Sequence, residues 1–276
     1  MTNDYAKDGQ SADGLAAALR ADLRRNLEQV EEQIAAACQA AGRSRDSVEL
    51  MAVSKTHPAA AIEEIFRLGL SLFGENKVQE FAAKSAGLSA PDTAGATIRS
   101  QMRAHLIGHL QSNKAAKAVE VFDAVDTLDS LKLAERLNSA VEASPQWTSA
   151  NSAARRLPVL LEIKLSAEET KSGLDPQSRD FAELLERLPS LTRLDAQGLM
   201  TIAPFNVPEA ETRACFRALR QLQEKLSAQY PSVRLPVLSM GMSGDFALAI
   251  AEGSTRIRIG TAIFGAREYP PNISPQ

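Results

Sequence analysis

The feature that most restricts this chain is a rhythm: from residue 48 to residue 260, short β-like runs alternate with helical stretches. The β-like runs fall at 48–54, 70–74, 105–109, 122–128, 159–165, 195–202, 237–241 and 255–260. Helical segments such as 60–68, 112–119, 130–143, 179–188, 209–229 and 246–251 lie between them. Repeated βα units imply a parallel sheet. About eight of them in 276 residues favour a closed (β/α)8 barrel over an open doubly wound sheet. Ahead of the rhythm, Leu15, Leu19, Leu23, Leu27, Val30, Ile34 and Cys38 recur at spacings of three and four, the stripe of an amphipathic helix, and Gly42 closes it. The expected organisation is therefore a polar or disordered N-terminus over 1–14, one α/β barrel with an extra N-terminal helix over 15–268, and a tail over 269–276.

Two segments break the rhythm, 85–99 and 144–156, both rich in small polar residues. They read as surface insertions, too short to join independent cores. Trp147 in the second is open between a packing plug and a ligand contact. A hydrophobic content of 44% suffices for one sizeable core. The net charge of −3 argues against a nucleic-acid binder, which needs a basic stripe to neutralise phosphates. No apolar run approaches a membrane span, and the N-terminus has neither the basic start nor the apolar stretch of a signal peptide, so a cytoplasmic location is expected. Cys38 and Cys215 lie far apart and outside any Cys-x-x-Cys spacing; both are expected to fill apolar helix faces.

In a barrel of this kind, function sits at the C-terminal ends of the strands. Lys55 stands just past the first run and is followed at once by Thr56-His57-Pro58, a helix-start signal. An amine at the mouth of an apolar strand is a candidate Schiff-base nucleophile, because burial disfavours its charged form. A lysine at a strand end also serves simply to hold charge in water. After the seventh run comes Ser239-Met240-Gly241-Met242-Ser243-Gly244, and at the end of the eighth Arg258-Ile259-Gly260-Thr261, where barrels commonly bind phosphate. Glycines let backbone approach an anion, Ser243 and Thr261 offer hydroxyl donors, and a helix beginning near Asp245 adds N–H groups; an ordinary Gly-Ser helix cap is the plainer alternative. Arg256 and Arg258 share one face of the last strand; Arg258 is placed in the pocket and Arg256 deeper, in a salt-bridged network. His105 and His109 fall on one face of the third run, where ring stacking or a supporting hydrogen bond is favoured over metal binding. Glu75 and Asn76 are positioned to point into the same mouth.

With these residues in place, the sequence resembles the pyridoxal phosphate homeostasis proteins, also called proline synthetase co-transcribed homologues, which have an alanine-racemase-type barrel. The matching segments are Ala52-Val53-Ser54-Lys55-Thr56, Phe73-Gly74-Glu75-Asn76, Val78-Gln79-Glu80, Ile107-Gly108 with Leu110-Gln111-Ser112-Asn113-Lys114, and Lys171-Ser172-Gly173. Gly198-Leu199-Met200, Leu238 to Ser243 and Arg258 to Gly265 complete the set, in family order. The resemblance implies a TIM-type barrel without the C-terminal β domain of alanine racemases. It implies that Lys55 carries pyridoxal 5′-phosphate (PLP) as a Schiff base, N6-(pyridoxal phosphate)lysine. Ser243, Gly260 and Thr261 then hold the phosphate, with Met242 counted in the same binding segment. Arg258 faces the pyridine nitrogen, and Asn76 and His105 line the ring. The implied role is intracellular PLP, or vitamin B6, homeostasis by buffering or delivery, with PLP-dependent apo-enzymes as candidate recipients. The chain departs from the family pattern at Lys77, where an aromatic is usual, at Lys164, where asparagine is usual, and at Gly244, where an acidic residue is common; these touch the polarity of the pocket.

The competing expectation is a PLP-dependent racemase or decarboxylase on the same barrel. Racemases of this type add a β domain and a tyrosine base from a partner subunit. Here about a dozen residues follow Phe264, and the tyrosines are Tyr5, Tyr230 and Tyr269. A carrier without robust catalysis, monomeric because the racemase dimer interface is missing, is the preferred expectation. A Schiff-base aldolase is a third reading, disfavoured by the lysine's place on the first strand.

Overall fold

A computed structural model of the chain describes residues 17–89, 97–148, 155–165, 172–230 and 233–265. The polar N-terminus over 1–14 and the tail over 269–276 lie outside the described residues. Eight parallel strands close into a barrel in chain order: β1 (Glu49–Val53), β2 (Leu72–Glu75), β3 (Arg103–Leu106), β4 (Ala124–Leu128), β5 (Leu157–Glu162), β6 (Leu194–Met200), β7 (Val237–Ser239) and β8 (Arg256–Ile259). β8 returns to β1 with Glu49 level with Arg256 and Met51 level with Arg258. The helices are α1 (Ala17–Ala40), α2 (Ala59–Arg67), α3 (Val78–Leu88), α4 (Ile98–Gln101), α5 (Ala115–Val121), α6 (Leu131–Ala143), α7 (Pro145–Thr148), α8 (Arg179–Arg187), α9 (Glu209–Gln229), α10 (Phe246–Ala251) and α11 (Thr261–Phe264).

Strand alternation sorts the side chains into two cores. Outward residues such as Leu50, Ala52, Phe73, Leu106, Leu161 and Ile257 join the helices in one continuous apolar layer. The inward set is mixed, and its polar members reach across the lumen: Arg256 on β8 bonds Asp126 on β4, two strands that are not neighbours. α1 lies over the seam where β8 meets β1. It buries Leu23, Leu27, Val30, Ile34 and Cys38, at roughly 1.5–3 kcal/mol for each large side chain, and it ties down the last two helices through Asn26 Nδ2 to Ile263 O and Arg43 Nη1 to Ile250 O. Its C-terminus is closed by Gly42 at φ +65, with the N–H of Arg43 reaching back to Cys38 O. Leu19, expected in the buried stripe, is exposed at 40%, and Leu15 lies outside the described residues.

Two expectations need correction. The segment 85–99 is not wholly a loop: α3 runs on to Leu88, and α4 begins at Ile98. The period of α3 is diluted because only Val78, Phe81 and Leu88 are buried among Ala, Ser and Gly. The third strand also begins and ends earlier than its apolar pattern suggests, at Arg103 and Leu106, so His109 lies beyond it. Trp147 resolves as a packing plug. It is buried, its Nε1 donates to Val119 O at 2.9 Å, and the Arg155 guanidinium stacks on its ring. Cys38 and Cys215 are both buried on helices, as expected.

Candidate functional site

The C-terminal rim gathers the residues singled out above. Lys55 follows β1 by two residues and is half-buried. On β8, Arg258 pairs with Met51, and Gly260 lies against Val53: a Cβ built on Gly260 would come 3.3 Å from Val53 O. The end of β1, two residues before Lys55, therefore adjoins the Arg258-Ile259-Gly260-Thr261 segment at the rim.

The two glycine-containing segments also meet. Ser243 Oγ accepts a hydrogen bond from Ala262 N–H at 3.4 Å, joining the loop after β7 to the first turn of α11. Gly241 makes this loop possible: it sits at φ +98, and a Cβ there would stand 2.6 Å from Ala249 Cβ. α10 contributes less than expected, being six residues long, and the Met242 N–H is already taken by Asp245 Oδ1 at 2.6 Å. Burial pushes the Asp245 carboxyl above its ordinary range, partly opposed by that N–H and by Arg258. What remains for an anion is the Ser243 and Thr261 hydroxyls, backbone N–H groups and the buried guanidinium of Arg258. Across the rim, His57 stacks on Phe264 with centroids 4.9 Å apart, linking the Lys55 loop to the end of the same segment.

Arg258 is 4% exposed and rigidly held: Nη1 donates to Ser239 O and Oγ at 2.8 and 2.9 Å, and Nη2 to Thr201 O at 2.9 Å. Burial pushes its pKa down, and the carboxyls of Asp126, Asp245 and Glu162 oppose that. Arg256 lies in the expected salt-bridged network, with Nε on Glu49 Oε2 at 2.8 Å and Nη1 on Asp126 Oδ2 at 3.3 Å; Arg103 bonds Glu49 as well. His105 belongs to this network, its Nδ1 3.0 Å from Asp126 Oδ1. Burial alone raises the pKa of Asp126, but His105, Arg256 and Arg258 outweigh it and hold the carboxyl below its ordinary range.

His109 does not share a strand face with His105. It is exposed beyond β3, with Nδ1 3.0 Å from Asp129 Oδ2. Glu75 does not point into the mouth either. It is fully buried behind the strand end, accepting from Ser54 Oγ at 2.8 Å and from Lys84 Nζ at 2.9 Å. Asn76, at the end of β2, lies against Gly108, where an added Cβ would come 2.2 Å from Asn76 O.

One residue of the rim is absent from the sequence-based expectations. Leu157, Val159, Leu161 and Ile163 belong to the outer apolar layer, so residues 158, 160, 162 and 164 face inward, and Glu162 occupies an inward slot at the C-terminal end of β5. That alternation is the signal that could have found it. Glu162 is 5% exposed; Oε1 accepts from Ser172 Oγ at 3.0 Å, and Oε2 has no hydrogen-bond partner among the described residues. Burial pushes its pKa up, reinforced by Asp129 and only partly offset by Ser172, Arg258 and His109. A carboxyl raised in the fold above its unfolded value of about 4.3 costs stability where it must ionise, above the folded pKa, and costs nothing below the unfolded one. Glu162→Gln is therefore expected to raise the thermal midpoint near pH 8, with the gain fading toward pH 4; a midpoint lowered equally at both pH values would refute this.

Amine, guanidinium, hydroxyls, glycine backbone and a buried carboxyl oxygen are a donor and acceptor set suited to a small, polar, anionic molecule with an electrophilic carbon. PLP fits that donor set: Ser243, Gly260 and Thr261 suit a phosphate, Arg258 a ring acceptor and Lys55 an aldehyde.

The comparisons agree with this class. Residues 25–268 match the family described as alanine racemase, N-terminal domain. Alanine racemase from Clostridium difficile shares the fold alone, at TM-score 0.65 and 13% identity, with 90% of this chain matched to 60% of that one. The pyridoxal phosphate homeostasis protein of Vibrio cholerae is 43% identical over 91% of this chain and 98% of its own length, and that of Escherichia coli K12 41% identical over 90% and 98%. PipY of Synechococcus elongatus, solved with PLP bound, superposes at TM-score 0.71 with 40% identity over 88% of this chain and all of that one. The chain belongs to the pyridoxal phosphate homeostasis protein family.

Proposed function

We propose that this chain binds PLP in the cytoplasm as a Schiff base on Lys55 and serves PLP homeostasis by holding the cofactor for buffering or delivery to PLP-dependent apo-enzymes, acting as a monomer. When bound, the cofactor supplies an aldehyde that condenses with a primary amine, releasing water. The chain's own residues do the rest. Ser243, Gly260 and Thr261 receive the phosphate, with Met242 in the same segment, and Asn76 and His105 flank the ring. Arg258, locked by Ser239 and Thr201, presents a fixed cation to the pyridine nitrogen. Because a guanidinium keeps its proton, it leaves that nitrogen unprotonated and the ring a weak electron sink, which suits holding better than turnover.

The observation that supports the reading is the β8–β1 closure, whose register sets Gly260 against Val53, two residues before Lys55. Among the described residues, the one tyrosine on which a second base from the same chain could draw is Tyr230. It is the C-cap of α9, and helices of a (β/α)8 barrel run back toward the N-terminal ends of the strands, so this tyrosine sits at the end remote from Lys55. Tyr5 and Tyr269 lie outside the described residues.

The test is a titration of the purified protein with PLP, followed by visible absorbance and by borohydride reduction with mass mapping. A reduced adduct on the Lys55 peptide is expected, and no uptake would sink the reading. In the same titration, Ser243→Ala is expected to weaken binding about ten- to a hundredfold, since a hydrogen bond to a charged group contributes roughly 1.5–3 kcal/mol. Unchanged affinity would count against the phosphate assignment.

A further inference from the structure

Lys55 lies between two peptide groups held by side chains of a different element. On its N-terminal side, Ser54 is fully buried. Its N–H donates to Gly74 O at 3.1 Å, its Oγ to Glu75 Oε1 at 2.8 Å, and its carbonyl accepts from Lys84 Nζ at 3.0 Å. On the C-terminal side, Thr56 N–H donates to Glu80 Oε1 at 2.6 Å. Glu80 and Lys84 are one turn apart on α3 and pair with each other at 2.7 Å, while Lys84 also bonds both oxygens of Glu75, at 2.9 and 3.2 Å. The Lys84 ammonium is thus satisfied by one carbonyl and two carboxylates, and the Glu80 carboxylate extends to the backbone of Thr56.

Thr56 has φ +68, left-handed backbone that a β-branched side chain rarely adopts. Strain of this sort persists only where its surroundings over-determine it. Here it falls on the residue next to the lysine, and the side chain that meets its N–H is Glu80. Burial by itself pushes the Glu80 carboxyl up, but Lys84 and the Thr56 N–H outweigh it and leave the group below its ordinary range, ionised at neutral pH.

We propose that Glu80 and Lys84 are positioning residues for Lys55: together with Glu75 they clamp the Ser54–Thr56 turn in its strained form and so present the Lys55 amine to the cofactor. The inference rests on the reading of Lys55 as the PLP-binding lysine. A clamp of this kind acts through one dihedral angle, which separates it from a helix merely fastened to a barrel. Glycine adopts left-handed φ without strain, so a glycine at position 56 needs no clamp.

The test compares wild type, Glu80→Ala, Glu80→Gln and the double variant Glu80→Ala/Thr56→Gly, each first checked for native far-UV circular dichroism and cooperative unfolding. Two quantities are read: hydrogen exchange of the Thr56 amide in protein without added PLP, and PLP uptake by borohydride-trapped mass. Glu80→Ala is expected to speed Thr56 exchange at least tenfold and weaken PLP uptake about tenfold. Glu80→Gln, which keeps an acceptor oxygen, stays within about threefold of wild type in both, and adding Thr56→Gly returns uptake to that range. Wild-type uptake that Glu80→Ala leaves unaltered overturns the clamp alone, and so does a folded double variant with no recovery. If wild type itself takes up no PLP, the reading of Lys55 falls and the clamp's purpose with it.

Discussion

Lys55→Ala is expected to remove the PLP-derived visible band altogether, along with the borohydride-stable mass on the 55-containing peptide. The reason is chemical: alanine offers no amine to condense with the aldehyde, and the neighbouring Lys84 ammonium is already held by the Ser54 carbonyl and the Glu75 and Glu80 carboxylates. Lys55→Arg separates charge from nucleophilicity. A guanidinium retains positive charge and so keeps part of the attraction for phosphate, but it stays protonated and cannot condense with an aldehyde at neutral pH. The arginine variant should therefore bind PLP weakly and reversibly, with no trapped adduct, while the alanine variant binds more weakly still. An undiminished adduct in Lys55→Ala would move the Schiff base elsewhere. Amino-acid racemisation by wild type that disappears in Lys55→Ala would replace the carrier reading with an enzyme.

The second large effect concerns the lumen of the barrel. Asp126 is 1% exposed and is shared by His105 at 3.0 Å and Arg256 at 3.3 Å. Asp126→Ala leaves a buried guanidinium short of a counter-charge and an imidazole short of a partner. Removing one member of a buried ion pair costs about 3–5 kcal/mol, a fall in Tm on the order of 10 °C for a chain of this size. The same network sets an acid limit. Asp126 is held below its unfolded pKa of about 3.9, so its contribution is complete above that value and is lost as pH falls through the lower, folded pKa. Thermal midpoints measured from pH 7 down toward pH 3 should fall steeply for wild type at the acid end and less steeply for Asp126→Ala. Equal slopes would show that the network is not what fails in acid.

Much of the site is legible in the amino-acid sequence. Lys55, Ser243, Arg258, Gly260 and Thr261 are ordered along the chain, and strand-end positions in a βα repeat project to one rim, so their spacing implies a common site. Arg256 can be assigned to a buried network because it alternates with Arg258 on a short strand. His109 and Glu75 depart from expectation for different reasons: the third apolar run extends past the end of its strand, which changes whether a side chain faces the lumen, the helices or water, whereas β2 ends close to its run and Glu75 is turned by a partner the run does not contain. β3 ends at Leu106, so His109 is a rim residue in solvent, and Glu75 is committed to Lys84 on α3, a helix whose diluted period hides it.

The barrel, its N-terminal helix and the lysine and glycine segments at its rim are legible in the amino-acid order, because each is encoded in local periodicity or in residues with a single strong chemical use. Which charges face one another emerges only when the strands and helices pack. The His105–Asp126–Arg256 network, the inward Glu162 with its unpartnered oxygen among the described residues, and the Glu75–Glu80–Lys84 cluster behind Lys55 each join residues from different strands or helices. Their meeting depends on how the strands stagger around the closed barrel, a quantity that no local stretch of sequence carries.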